Sequence, residues 1–105
     1  MCIARRLDVA GDSASRRHGL LGRDRFDSGS ALLIAPCQGV HTFGMRFPID
    51  VVAIARDGSV IKIRCHVRAR RIVMAWSAFA IIELPDGESD RSGLRVGDRL
   101  VSNSN

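Results

Sequence analysis

The apolar run Ile49-Asp-Val-Val-Ala-Ile-Ala55, the turn pair Asp57-Gly58 and the run Val60-Ile-Lys-Ile-Arg-Cys65 constrain the fold most, because together they specify a β-hairpin. Both runs are strand-length, too short for an independent helix, and rich in β-branched residues. In the second, Val60, Lys62 and Arg64 alternate with Ile61, Ile63 and Cys65. That alternation predicts one apolar and one charged face, and hence a sheet solvated on one side.

The same pattern of short apolar runs and turn residues recurs along the chain. Ile3 to Val9 reads as an edge strand, and Asp12 or Ser13 caps a short helix over Ala14 to Leu21 that Gly22 stops. Arg23 to Ser30 is a polar loop. Ala31 to Ile34 is a buried strand bounded by Pro36, and Val40 to Met45 continues extended, with Gly44 marking a bulge or a close backbone approach. Ile72 to Met74 and Ala78 to Leu84 return to strand composition on either side of Trp76. Pro85-Asp86-Gly87 is a turn, Ser89 or Asp90 caps one helical turn ending at Gly93, and Val96 to Val101 closes the chain as a last strand.

Seven or so short strands with one or two short helices predict a mainly β, single-domain sandwich or partly closed barrel over residues 1–101, followed by a frayed polar tail, 102–105. Parallel architectures are disfavoured, since each crossover needs about a dozen residues of helix. At 105 residues the chain buries one modest core. No apolar run approaches the roughly 18 residues of a membrane span, and Met1 to Asp8 lacks an export signal, so the expected location is cytoplasmic. Cys2, Cys37 and Cys65 are odd in number and unpaired in spacing, which suits reduced thiols.

The net charge of +5 suggests phosphate contacts, but fifteen of the sixteen basic residues are Arg and nine of the eleven acids are Asp. A GC-rich coding sequence produces that bias without selection for binding. With Tyr absent and only five Phe and Trp, a base-stacking platform is not evident, and nucleic acid is a disfavoured partner.

Several segments together resemble a known family: Arg17-His-Gly-Leu-Leu-Gly-Arg23, His41-Thr-Phe-Gly-Met-Arg-Phe-Pro-Ile-Asp-Val51, Asp57-Gly58, Glu83-Leu-Pro-Asp-Gly87 and Gly97-Asp98. In this order they are similar to the domain of unknown function 192 family of small prokaryotic proteins. The resemblance implies a mostly β sandwich or jelly-roll-like fold and brings no assigned activity, cofactor or catalytic residue. Many relatives carry Trp where His41 stands, which argues against His41 as an indispensable base or ligand.

The chemistry concentrates at Arg23, His41, Thr42, Met45, Arg46, Asp50 and Glu83, the candidate pocket or polar network. Asp50 and Glu83 sit within apolar runs, where a carboxylate must be paired or protonated. The favoured expectation is an ion-pair network in which Arg23 or Arg46 bridges one or both of them. The alternative is an enzyme using Asp50 and Glu83 as acid and base with Arg46 holding an anionic or sugar-like substrate. Cys37, His41, Cys65 and His66 supply zinc-type ligands, but neighbours on a strand point to opposite faces unless a bulge intervenes, so neither metal nor cofactor is expected. Cys65 is expected to be a buried thiol, and Phe43, Met45, Phe47, Trp76 and Phe79 to be packing residues. The function that fits is a non-enzymatic binding module with a pocket or edge near residues 37–50, its partner an unknown protein or small molecule.

Overall fold

The structure, a computed structural model, describes residues 6–10 and 30–100, with side chains from residue 31 onward. The helix expected over Ala14 to Leu21, the loop containing Arg23 and the polar tail lie outside these residues. The described elements are β1 (Arg6–Ala10), β2 (Ser30–Ile34), β3 (Gly39–His41), β4 (Ile49–Ile54), β5 (Val60–Val67), β6 (Ile72–Met74), β7 (Ala80–Pro85) and the single-turn α1 (Glu88–Arg91). They form a five-stranded sheet in the order β1-β2-β7-β4-β5 and a two-stranded sheet, β3-β6. The protein is mainly β, and its described residues form two sheets without a closed barrel. No helix of the described residues is long and apolar enough to cross a membrane.

The β4–β5 hairpin forms where expected. The Gly58 amide donates to the Ala55 carbonyl at 2.9 Å, and the Asp57 carboxylate accepts from the Ser59 amide at 2.9 Å. Gly58 has φ of 90°, a conformation that costs a side-chain-bearing residue free energy. The alternation along β5, however, is broken twice. The register shifts between Ala53 and Ile54, where Ile61 is the extra residue, and again between Ile49 and Val51, where Cys65 and His66 together face Asp50. The first bulge separates Val60 from Lys62: Val60 joins Ile63 in one apolar cluster, while Ile61 packs in the other.

The central strands β4 and β7 of the large sheet are buried on both faces rather than solvated on one. One face, carrying Leu32, Ile34, Ile49, Val51 and Ile81, packs on Val40 and Val73 of the small sheet and on Met45. The opposite face, carrying Ala31, Val52, Ile82 and Leu84, is covered by Leu94 and Leu100 from the segment after α1. Double burial explains why β4 and β7 read as nearly continuous apolar runs.

Two local expectations are corrected. Val40 to Met45 is not a continuous strand: β3 stops at His41, and a turn closed by the Met45 amide on the Thr42 carbonyl (3.2 Å) follows, with Gly44 at φ 84° where a type II turn demands a positive value. Val96 to Leu100 makes only an isolated bridge, Arg99 to Ser59, because the Arg95–Asp98 turn and Gly97 at φ 98° interrupt it. β1 and β2 run parallel, a single parallel pair at one edge of an otherwise antiparallel sheet.

A Cβ built on Gly58 lies 2.6 Å from the Leu100 carbonyl oxygen, so the hairpin tip carries both a backbone and a steric requirement for glycine. Gly58→Ala is expected to lower stability by about 1–3 kcal/mol from the backbone conformation alone. Urea denaturation measures this, and an unchanged midpoint would mean that neither the positive φ nor the Leu100 carbonyl restricts position 58.

Candidate functional site

Asp50 enters from the second position of β4 and is fully buried. Its side chain fills the second bulge of β5, where the ladder leaves a main-chain N–H without a strand partner. Oδ1 accepts from the amides of His66 (3.0 Å) and Gly87 (3.2 Å), and Oδ2 from the amide (2.9 Å) and hydroxyl (2.6 Å) of Ser89. Gly87 is the N-cap of α1 at φ 81° and has no side chain to cap the helix, so Asp50 reaches across from β4 to bind the free amide at Ser89. The cap is thus Gly87 with Asp50, not Ser89 or Asp90. Burial on its own would raise the Asp50 carboxyl above its ordinary range. The hydrogen bonds from the Ser89 hydroxyl and from the His66, Ser89 and Gly87 amides outweigh it, and the group is held below that range, ionised. These four donors are neutral groups, and no arginine is among them.

Ser89 also explains Cys65. With the hydroxyl proton committed to Asp50, the Cys65 thiol donates to Ser89 Oγ at 3.3 Å. Cys65 is exposed rather than buried, since the bulge lifts it to the rim beside α1.

Glu83 lies at the centre of the sheet, on β7 between β2 and β4, and is completely buried. It pairs directly across from Leu32 and Val51, both of which face the small sheet. Asp50 pairs across from Leu84, which faces α1 and the Leu94 segment. Opposed residues of an antiparallel pair share a face. The two carboxylates therefore project from opposite faces of one sheet and cannot act on one substrate. Arg46 is exposed, and Arg23 falls outside the described residues.

The remaining candidates lie on β3 and in the turn that follows it. Thr42 is buried, donates its hydroxyl to the Arg68 carbonyl at 2.6 Å and accepts from the Arg71 amide at 2.9 Å. Its own amide donates to the Arg71 carbonyl (2.9 Å), and its carbonyl accepts from the Arg70 amide (3.3 Å). Thr42 thus holds the Arg68–Arg71 loop, in which Arg70 has φ of 65°. The turn after Thr42 sends Met45 into the core and Phe43 outward, 49% exposed and 5.7 Å from the His41 ring. Ile72, paired across from His41, is 66% exposed. Trp76 is 73% exposed, with its carbonyl accepting from the Gln38 side-chain amide. Phe43 and Trp76 are accordingly surface residues, while Phe47 packs against the core and Phe79 lies under Arg56 at 4.4 Å.

The zinc-type residues diverge. The Cys37 thiol donates to the Gly39 carbonyl (3.0 Å) and packs on the inter-sheet core, Cys65 meets Ser89, and the His66 Nδ1 contacts the Asp86 carboxylate at 2.9 Å. Among the described residues no three His, Cys, Asp or Glu side chains form a group able to hold a metal ion.

Where β5 and β6 approach, an open cleft of about 410 Å³ is lined by Arg64, His66, Arg68, Arg71, Ile72 and Val73. Residue spacing gave no signal for the gathering of Arg64 with the loop arginines, nor for Ser89, Gly87 and the His66 amide as partners of Asp50; bulge and turn geometry bring them together.

The family described as Uncharacterized ACR, the domain of unknown function 192, matches residues 3–102. The chain belongs to this family. Two solved structures share the fold of this member of the domain of unknown function 192 family. One, from Sinorhizobium meliloti 1021 and provisionally assigned as a transcription regulator, has a TM-score of 0.79 at 23% identity, over 89% of this chain and 78% of that one. The other, a protein of unknown function from Novosphingobium aromaticivorans DSM 12444, has a TM-score of 0.78 at 20% identity, over 89% and 71%. At these identities the likeness is one of fold. None of the curated proteins matches.

Asp50→Asn places an amide donor against the donors of Ser89 or His66 and should destabilise the fold by about 3 kcal/mol; Ser89→Ala, which removes one donor, should cost about 1–2 kcal/mol. Because the folded Asp50 titrates below its ordinary value of 3.8, the unfolded chain takes up the proton first. The stabilisation is complete above that value and is lost as pH falls through the lower folded value. Urea midpoints measured between about pH 5 and pH 2 should therefore fall more steeply for the wild type than for Asp50→Asn.

Proposed function

We propose that the protein is a non-enzymatic recognition module whose binding surface is the end of the sandwich formed by β3, the Thr42–Met45 turn and the Arg68–Arg71 loop. The observation that carries this reading is the placement of Asp50 and Glu83 on opposite faces of the large sheet, with both Asp50 oxygens saturated by donors. The carboxylate-pair enzyme loses its acid and base by that geometry. Exposed Phe43 and Ile72 beside a hydrogen-bonded loop are the kind of amphipathic surface that recognition sites present. The free thiols of Cys37 and Cys65 support a reducing compartment, which we take to be the cytoplasm.

Phe43 contacts His41 at the surface and lies outside both apolar clusters, so Phe43→Ser should leave the thermal midpoint within a few degrees of wild type. In capture from a lysate of the source organism, followed by chemical cross-linking, the wild type should retain a partner that Phe43→Ser loses. Identical captures from the two would remove this surface from the function.

A further inference from the structure

We infer that the cleft between β5 and β6 is an anion site for a small phosphorylated molecule, with Arg64, Arg68 and Arg71 on the phosphate and Ile72 against the apolar remainder. The inference rests on the recognition reading above and names the chemistry of its ligand.

Charge is the first argument. Elsewhere, the basic side chains Lys62, Arg56, Arg91 and Arg99 are engaged within the fold: Lys62 donates to the Met74 carbonyl at 2.6 Å, Arg56 stacks on Phe79, Arg91 meets Glu88 and the Asp86 carbonyl, and Arg99 donates to the Asp57 carbonyl at 3.0 Å. Around the cleft the arrangement differs. Among the described residues no carboxylate lies within salt-bridge distance of Arg64, Arg68 or Arg71, and the nearby carboxylate of Asp86 is taken by His66 Nδ1. Arg68 Nε points toward His66 Nε2 at 3.5 Å, and Arg71 turns back toward the carbonyls of its own loop at 3.3 and 3.5 Å. Three arginines thus line one cleft with no carboxylate in salt-bridge contact, and an anion placed there meets positive charge that no acid of the described residues neutralises.

Rigidity is the second. The backbone carrying these arginines is fixed at both ends, by Asp50 on the His66 amide and by Thr42 on the Arg68 carbonyl and the Arg70 and Arg71 amides. A frame held before the ligand arrives reduces the ordering cost of binding. Planar guanidinium forks match the oxygen geometry of phosphate, bidentate where the approach allows. The volume of about 410 Å³ suits one small molecule. Ile72, 66% exposed on the same wall, gives an apolar surface that a bare inorganic ion would leave unused.

The test is a nuclear magnetic resonance titration of the full chain at low ionic strength, following backbone amides and arginine Nε–H groups, with phenyl phosphate, inorganic phosphate, benzoate and phenol as probes. Phenyl phosphate and inorganic phosphate should shift Arg64, Arg68, Arg71 and the backbone of residues 67–73. Phenyl phosphate should bind about tenfold tighter for its buried ring, and phenol should produce no shifts at matched concentration. The Arg64→Gln, Arg71→Gln double variant should weaken phenyl phosphate at least about tenfold with an unchanged melting temperature. Shifts spread equally over Arg56, Arg95 and Arg99, or benzoate binding as tightly as phenyl phosphate, would overturn the proposal. So would a 5′-hydroxyl oligonucleotide that binds more tightly with each added nucleotide, which would make the surface one for nucleic acid. If phosphate fails while capture through Phe43 persists, only the anion assignment falls; if capture through Phe43 fails while phosphate binds, the wider surface falls and the cleft stands.

Discussion

A single buried carboxylate organises the end of this sandwich. Asp50 is charged, removed from water and tolerable there because four donors from two separated segments, the β5 bulge and the Gly87–Ser89 corner, converge on its two oxygens. In satisfying itself it satisfies them: the amide stranded by the β5 bulge, the amide of the turn glycine and the free first-turn amide of α1. An apolar residue of the same size would fill the space and leave those donors buried without acceptors. The arginine loop begins two residues after the amide that Asp50 holds, so the direction in which the chain leaves β5 is set at this corner.

The same sheet carries a second buried carboxylate with a different setting. Glu83 faces the small sheet from the central strand, whereas Asp50 faces α1, and the 3.3–3.4 Å rise of one residue along a strand reverses the face. Two acids close in sequence pattern and close in register are thereby separated by the thickness of the sheet. Double burial of β4 and β7 removes the middle of the molecule from contact with any ligand. Among the described residues, exposed side chains lie at the periphery, including where β5, β6 and the Thr42–Met45 turn meet.

Much of this architecture was legible in the residues, and the parts that were not share a cause. The hairpin, the short strands at Ala31, Ile72 and Ala80 and the turn at Asp86-Gly87 followed from local length, branching and turn chemistry. Bulges leave no such trace: Ile61 and Cys65-His66 fit a regular alternation until the pairing with β4 shows two residues facing one. That shift exposed Cys65 and moved Val60 to the α1 side. Asp50 was recognisable as a buried acid from its apolar neighbours, but its partners were not, because three of the four donors are main-chain groups that carry no sequence identity. Phe43 and Trp76 were expected inside on hydrophobicity alone; the tight turn at Gly44 and the loop between β6 and β7 put them outside.

Thr42 grips the arginine loop solely through peptide groups, the carbonyl of Arg68 and the amides and carbonyl around Arg70 and Arg71. None of those atoms depends on which side chain the position displays. Only Arg70, with its left-handed backbone, restricts its own replacement. Scaffold and lettering are thus separable: positions 68 and 71 can exchange one chemistry for another without unsettling the knot beneath them, and a descendant of this chain has a route to new ligands that leaves its interior untouched.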